Sequence, residues 1–222
     1  MSNKVKAITH RPFLVVLSSP SGAGKTTICR TVLRRDPNLG YSVSATTRPK
    51  RPGEVSGKDY FFYCPEEFAK RKNRGEFIET AFVYGNYYGT LKREVKRILR
   101  QGKDVLLDLD IQGMRSIKRL FPDAVTIFIT PTNLIELKKR LTHRKESKSE
   151  IKKRTGYLKA ELAAIPEFDY LVPNDDLKTA VARVLAIIQA ERQKTSRLRQ
   201  ISHLFTKRLC PFKSEENDQS RR

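Results

Sequence analysis

The sequence predicts an α/β fold: a parallel sheet flanked by helices, with a small α+β insertion and a helical excursion set into it. Three observations carry that expectation. Short, wholly apolar runs bounded by turn residues recur along the chain, as buried parallel strands require. Amphipathic helical stripes alternate with them. The first apolar run passes through a glycine-rich turn directly into a helix, which is how a doubly wound unit begins. At 222 residues the chain is long enough to bury one sizeable core and to carry smaller insertions on it.

Taken in order, residues 1–10 are polar and read as loose. Residues 13–17 (Phe-Leu-Val-Val-Leu) form the first strand, and the helix after the glycine-rich turn carries Ile28, Val32 and Leu33 on one face before Asp36-Pro37 stops it. From about Tyr41 to Tyr88 the pattern changes to short alternating runs (Tyr60-Phe61-Phe62-Tyr63, Glu76-Phe77-Ile78) with many glycines and aromatics and one short helix near residues 66–74. That composition predicts a small α+β insertion instead of another βαβ unit. The next helix is striped by Leu91, Val95, Ile98 and Leu99 and ends at Gly102, which can take the left-handed cap. Strands follow at residues 105–109 and 124–129, with a helix striped by Ile111, Ile117 and Leu120 between them. Residues 132–165 are dense in charge and read as two helices joined by a loop at about 145–149. Tyr170-Leu171-Val172 is a fourth strand. Asn174-Asp175-Asp176 stand where they can cap a long helix with Val181, Val184, Leu185 and Ile188 on its apolar face. The expected division is a core of residues 1–40, 91–131 and 166–205, an insertion of 41–90, a lid of 132–165 and a basic tail of 206–222 that reads as disordered. There is no internal repeat.

Composition narrows the class. Hydrophobic residues are 38% and charged residues 31%, a balance that fits a globular protein with a heavily charged surface. The apolar run at 13–17 is too short for a membrane span or a signal-peptide core. The three cysteines, Cys29, Cys64 and Cys210, have no metal-ligand spacing, and a reducing cytoplasm is the expected location. Lysine and arginine number 45 against 24 acids, a formal charge of +21. Such a surplus attracts anions, either nucleic acid or small phosphates. Charge alone does not choose between them, and stretches such as residues 92–100 and the tail after Arg192 read as solvated faces. His10, His143 and His203 are scattered and suggest neither a metal site nor a general base.

The sharpest local signal is Ser19-Pro20-Ser21-Gly22-Ala23-Gly24-Lys25-Thr26, followed by Thr27. It matches the phosphate-binding P-loop at every defining position except the first, where serine replaces glycine. Successive backbone N–H groups must point into one concavity to hold phosphates, and glycine permits the dihedrals and the close approach. The helix N-terminus adds its positive dipole end. Lys25 is expected to reach the β- and γ-phosphates of ATP, and the Thr26 hydroxyl to ligate Mg²⁺. A flexible turn before a helix would not account for Lys25-Thr26.

The insertion indicates what receives the phosphoryl group. Ser42-Val43-Ser44-Ala45-Thr46-Thr47-Arg48, Arg51-Pro52-Gly53-Glu54, Gly57-Lys58-Asp59-Tyr60, Glu76-Phe77-Ile78-Glu79, Gly85-Asn86-Tyr87-Tyr88-Gly89-Thr90 and Asp108-Leu109-Asp110-Ile111-Gln112-Gly113 follow the P-loop in one uninterrupted order. From about Phe13 to about Gln193 the chain closely resembles guanylate kinases of the bacterial type, without extra domains. The resemblance implies a P-loop NTPase-type core, a GMP-binding insertion, a closing lid and ATP-dependent phosphorylation of GMP, with dGMP as a further acceptor. It implies that Arg48, Arg51, Tyr60 and Tyr88 grip the GMP phosphate and that Ser44, Glu79, Thr90 and Asp110 read the guanine edge. It further implies that Asp108 contacts Mg²⁺ through water, that Arg144 and Arg154 of the lid join Lys25 and Arg48 in stabilising the transferring phosphoryl, and that Asn174 lies near the ATP base. The turn around Arg144 departs from the family, reading His143-Arg144-Lys145 where glycine usually stands beside the arginine, in a loop about one residue shorter.

The chemistry of the residues agrees independently. Guanine presents N1–H and N2–H₂ donors that an ionised carboxylate accepts, whereas adenine turns a lone pair toward the same group. A site built on such bonds rejects the wrong base by roughly 10⁴-fold. The planar forks of Arg48 and Arg51 suit a phosphate dianion. Each residue has a plainer reading: loop arginines for Arg48 and Arg51, core aromatics for Tyr60 and Tyr88, a surface strand position for Glu79, solvated charges for Arg144 and Arg154. Asp108, in an otherwise apolar strand, is costly without a partner or a metal. Two other function classes compete. A catalytically silent interaction module of the same fold would have lost the loop lysine or the acceptor arginines, and here Lys25, Thr26, Arg48, Arg51, Glu79 and Asp108 are all present. Nucleic-acid binding by the tail from Arg192 to Arg208 lacks an aromatic stacking pattern, so a solvated tail is the better reading. Oligomeric state has no signature in the sequence.

Overall fold

The structure, a computed structural model, describes residues 10–133, 135, 137 and 148–198, with residues 148–155 described by their backbone alone. It comprises two compact units, Pro12–Ile188 and a smaller one whose described residues are 10–11 and 189–198. In the smaller unit the Arg11 N–H donates to the Arg197 carbonyl at 3.1 Å, and Glu191 accepts from both Arg197 and Lys194.

The larger unit holds two sheets. Strands β1 (Leu14–Ser18), β2 (Leu39–Tyr41), β7 (Asp104–Asp108), β8 (Val125–Thr130) and β9 (Tyr170–Pro173) form the first, in the order β2-β7-β1-β8-β9. Every neighbouring pair in it is parallel. Its helices are α1 (Lys25–Arg35), α3 (Lys92–Arg100), α4 (Ile111–Leu120) and, as far as Ile188, α6 (Leu177–Arg192). Alternation along the central strand divides the core. Val15 and Leu17 pack with Ile28, Cys29 and Val32 of α1 and with Val181, Val184 and Ile188 of α6. Leu14 and Val16 pack with Val95 and Ile98 of α3 and with Met114 and Ile117 of α4. Both faces of β1 are therefore covered, which is why it reads as an unbroken apolar run.

The insertion forms the second sheet, β4-β3-β6-β5, from β3 (Ala45–Thr46), β4 (Phe61–Phe62), β5 (Phe77–Val83) and β6 (Asn86–Leu91), with α2 (Pro65–Asn73) packed on it through Phe68. Strands β5 and β6 are an antiparallel hairpin in which Val83 pairs with Asn86. The two turn residues, Tyr84 and Gly85, both take positive φ (52° and 82°), as a two-residue type I′ turn demands. Within the hairpin Gly89 is a steric necessity, because a Cβ there would lie 2.8 Å from the Phe77 ring.

Several expectations need correction. The core sheet has five strands, not four: β2 is only three residues long and contains Gly40, so neither length nor periodicity announces it, and the boundary drawn at residue 40 cuts through it. Leu120 is half exposed at 53% and Leu99 at 37%; Met114, not Leu120, completes the buried stripe of α4. The second lid helix, α5 (Lys148–Ala163), begins inside the loop placed at 145–149. The first lid helix falls largely outside the described residues, and residues 1–9 and the tail at 206–222 lie wholly outside them.

Candidate active site

The C-terminal ends of β1 and β7 lie side by side, with Leu17 opposite Asp108 in register, and the chain leaves both at the same edge of the sheet. One exit is the glycine loop and the other leads through Leu109 to Asp110. A cavity of ≈ 510 Å³ opens there, bounded also by the insertion sheet and by α5. Every residue from Ser19 to Thr27 lines it, together with Ser44, Arg48, Arg51, Tyr60, Glu79, Tyr88, Asp108 and Asp110. Residues drawn from four separate segments of sequence thus face one volume.

The glycine loop takes its form from two positive-φ residues, Gly22 (85°) and Gly24 (90°), and Gly24 leads straight into α1. Both dihedrals are ones that only glycine adopts without strain. Replacement of the loop's first glycine by Ser19 does not prevent closure: the Ser19 hydroxyl donates to the Pro20 carbonyl at 3.0 Å. Lys25 Nζ reaches across to the other strand exit, 2.7 Å from Asp108 Oδ1 and 2.8 Å from the Leu109 carbonyl oxygen. Burial is the largest single influence and opposes its charge, but Asp108, with Cys29 and Asp110 adding to it, tips the balance and raises the Lys25 pKa. Lys25 therefore stays an ammonium, available to trade Asp108 for phosphate oxygens. The costly carboxylate on an apolar strand has found its partner.

On the insertion side, Glu79 and Thr90 stand directly opposite each other on β5 and β6, and the Thr90 hydroxyl donates to Glu79 Oε1 at 2.6 Å. Thr90 is completely buried and acts on the cavity through Glu79. Burial pushes the Glu79 carboxyl up to about 7, the Thr90 hydrogen bond works against that, and Asp110 adds to it. Asp110 caps α4 by accepting from the Gly113 N–H at 2.9 Å. Gly113 keeps the two carboxylates in place, since a Cβ there would sit 3.2 Å from Asp110 Oδ1 and 3.3 Å from Glu79 Oε2. Ser44 is buried and its hydroxyl has no partner among the described residues, which leaves it free to serve a ligand.

Arg48 lies with its guanidinium carbon 5.4 Å from the Tyr60 ring centroid, and Tyr60 and Tyr88 meet edge to face at 6.0 Å. Its fork is held by Glu54 Oε1 at 2.6 Å and by the Pro49 carbonyl at 2.8 Å, while Glu54 Oε2 accepts from the Arg51 N–H. Glu54 was not singled out among the site residues from sequence; it holds the Arg48 fork in place. Tyr41, Tyr84 and Glu161 also line the cavity without having been singled out. Tyr84 donates to Glu161 Oε1 at 3.1 Å, and its ring meets Tyr157 edge to face at 5.0 Å. Tyr157 and Glu161 are four apart on α5, hence on one face, which is the only sequence signal that could have linked them.

Asn174 is only 5% exposed and does not line the cavity; its side-chain amide donates to the Ala23 carbonyl from behind the loop, at 2.6 Å. Arg144 and the side chain of Arg154 lie outside the described residues. Thr26 and Asp108 both line the cavity and offer hard oxygen donors, while no group of three or more potential ligating side chains occurs among the described residues. That set fits a divalent cation that arrives on a nucleotide and not one caged by protein. No described helix is long and apolar enough to cross a membrane.

Comparison with known proteins follows the same line. The family model for guanylate kinase matches residues 11–191. A guanylate kinase of Carboxydothermus hydrogenoformans is 47% identical over 190 residues, 85% of this chain and 93% of that one. One from Thermotoga maritima is 46% identical over 185 residues, 83% of this chain and 89% of that one. The crystal structure of guanylate kinase from Anaplasma phagocytophilum superposes with a TM-score of 0.76 at 32% identity, covering 91% of this chain and 97% of that one.

Proposed function

The chain belongs to the guanylate kinase family, and from that premise we propose that it transfers the terminal phosphoryl group of ATP to GMP, and to dGMP, in the cavity described above. The observation that supports this reading best is a single one. An anion-holding loop built from main-chain amides faces a buried carboxylate, Glu79, across one cavity.

The residue roles follow from chemistry. Residues 19–27 cradle the ATP phosphates, with Lys25 on the β- and γ-phosphates. Arg48 and Arg51, with the hydroxyls of Tyr60 and Tyr88, bind the GMP phosphate, Arg48 in an orientation that Glu54 sets. Ionised Glu79 accepts from the guanine edge, assisted by Ser44 and Asp110, while Thr90 orients it. Mg²⁺ would be held by Thr26 directly and by Asp108 through water, and would supply neutralisation of phosphate charge. No covalent intermediate is needed. The reaction requires two anions brought into line, with the charge on the equatorial oxygens offset by Lys25 and arginines. Arg144 and Arg154 are assigned to that task when the lid closes and excludes water. The free thiols of Cys29 and Cys64 suit a reducing cytoplasm.

A coupled assay of ADP formation with GMP, AMP, UMP and CMP tests the reading. GMP is expected to be preferred over AMP by roughly 10⁴-fold in kcat/KM, the ratio that a hydrogen-bonded base site can reach. Equal rates with all four acceptors would defeat the guanine assignment.

A further inference from the structure

We propose that Asn174 is a positioning residue for the phosphate loop: its buried side-chain amide, by holding the Ala23 carbonyl, turns the Gly24 N–H toward the triphosphate. The proposal rests on the assignment of residues 19–27 as the triphosphate site.

The Ala23–Gly24 peptide is planar and trans, so its carbonyl and its N–H point in opposite directions. The loop residues line the cavity and Asn174 does not, while Asn174 Nδ2 holds the Ala23 oxygen at 2.6 Å. Fixing the oxygen behind the loop therefore fixes the Gly24 N–H in front of it. The Gly24 carbonyl already accepts from Thr27 and Ile28, whereas among the described residues the Gly24 N–H finds no acceptor. A donor held in place with no protein partner is what a phosphate-binding concavity is made of.

Space adds a second argument. A Cβ on Gly24 would meet Asn174 Nδ2 at 2.6 Å, so glycine is needed at this position to admit Asn174 as well as to provide φ of +90°. The Ala23 methyl is packed with Leu137, Leu158 and Leu162, so the peptide is gripped through both its oxygen and its side chain. Asn174 is itself anchored: its N–H donates to the Thr130 carbonyl at the end of β8. The next two residues secure the same turn, Asp175 by accepting from the N–H and hydroxyl of Thr132 (2.9 Å each) and Asp176 by accepting from the Thr179 N–H in the first turn of α6. Asn174 is thus a strut between the sheet and the loop, with its Nδ2 held by the Ala23 carbonyl and its backbone N–H by Thr130.

Inorganic tripolyphosphate, which has no base, distinguishes this role from contact with adenine. In Asn174→Ala the affinities for tripolyphosphate and ATP should fall by the same factor, on the order of tenfold for one buried carbonyl left without its donor. Asn174→Asp should be worse than alanine, because it sets a carboxylate oxygen against the carbonyl. GMP affinity and the ratio of ATP to GTP use as donor should not move. Unchanged tripolyphosphate binding with an altered ATP to GTP ratio would overturn the proposal in favour of base recognition. A lowered unfolding temperature with both affinities intact would overturn it in favour of a merely structural role. Should the variants fail to fold, amide NMR of the wild-type protein decides: the Gly24 N–H resonance must shift when tripolyphosphate binds, and an unmoved resonance would refute the strut. If tripolyphosphate instead bypasses the whole loop, leaving all its amides unmoved, the assignment of the triphosphate site itself fails.

Discussion

At the scale of single residues, Glu79 carries the most consequence. Burial raises its carboxyl from an ordinary 4.5 to about 7, so the empty site holds a proton that an exposed glutamate would have lost. Between those values the folded protein binds more protons than the unfolded chain. Stability of the empty enzyme therefore falls as pH rises from about 4.5 to 7, by about 3 kcal/mol in all. Guanine needs the opposite state, an ionised acceptor, so GMP binding below pH 7 must expel the proton. KM for GMP is expected to rise about tenfold per pH unit below 7 and to be flat above it. The GMP phosphate also titrates near pH 6, so the comparison is with Glu79→Gln, which keeps the phosphate effect and loses the carboxyl. If wild type and Glu79→Gln show the same pH slope between 6 and 8, the carboxyl is not the reader of the base. Glu79 is legible as a candidate from sequence, but its Thr90 partner is not legible as such. The two face each other only because Tyr84-Gly85 makes a two-residue turn and fixes the register. The phosphate loop is legible throughout, since the dihedrals it needs restrict the residue types position by position. Asn174 shows the contrary case: its motif is visible, while the partner it holds lies 151 positions away.

Among the elements, the contact between the β5–β6 hairpin and α5 is the one no local pattern discloses. The hairpin places Tyr84 at φ 52°, an unusual conformation for a bulky residue, and from there its hydroxyl reaches Glu161 while its ring meets Tyr157. Glu161 has its pKa raised by burial, against the pull of Tyr84 and Lys25, so the hydroxyl bond is a main reason the carboxylate is tolerated there. The insertion sheet and α5 are therefore joined at the rim of the cavity. Tyr84→Phe keeps the ring and removes only the bond. It should weaken the join by about 1 kcal/mol and lower kcat roughly fivefold, with KM for GMP changed less than twofold. Glu161→Gln, which still accepts from Tyr84, should retain most activity. Steady-state kinetics of the two variants check this, and a Glu161→Gln variant as slow as Tyr84→Phe would mean the charge matters and the join does not. The same scale explains what the sequence withheld from the fold. The strongly striped α3 and the long α6 are plain, whereas β2 is three residues with a central glycine and becomes a strand only because β7 offers it an edge.

For the whole molecule the governing quantity is charge. The chain carries +21 formally, and both substrates are polyanions, so the summed field raises their concentration at the cavity before any contact forms. Inside the cavity the balance is different. Lys25, Arg30, Arg48, Arg51 and Lys58 face Glu54, Asp59, Glu79, Asp108, Asp110 and Glu161, and several cations are already paired: Lys25 with Asp108, Arg30 with Asp59, Arg48 with Glu54. Long-range attraction thus comes from the surface, while the largely buried pairs Lys25–Asp108 and Arg48–Glu54 are little screened, unlike the exposed Arg30–Asp59. These two contributions separate with ionic strength, because the Debye length shrinks from about 14 Å at 50 mM salt to about 6 Å at 300 mM. Raising KCl over that range should lower kcat/KM for both ATP and GMP severalfold and leave kcat nearly constant, since bound phosphates sit against charges that salt does not reach. The measurement is a pair of substrate titrations at each salt concentration. A kcat that falls in step with kcat/KM would place the salt-sensitive charges inside the closed site, and the +21 would then have no part in capturing substrate.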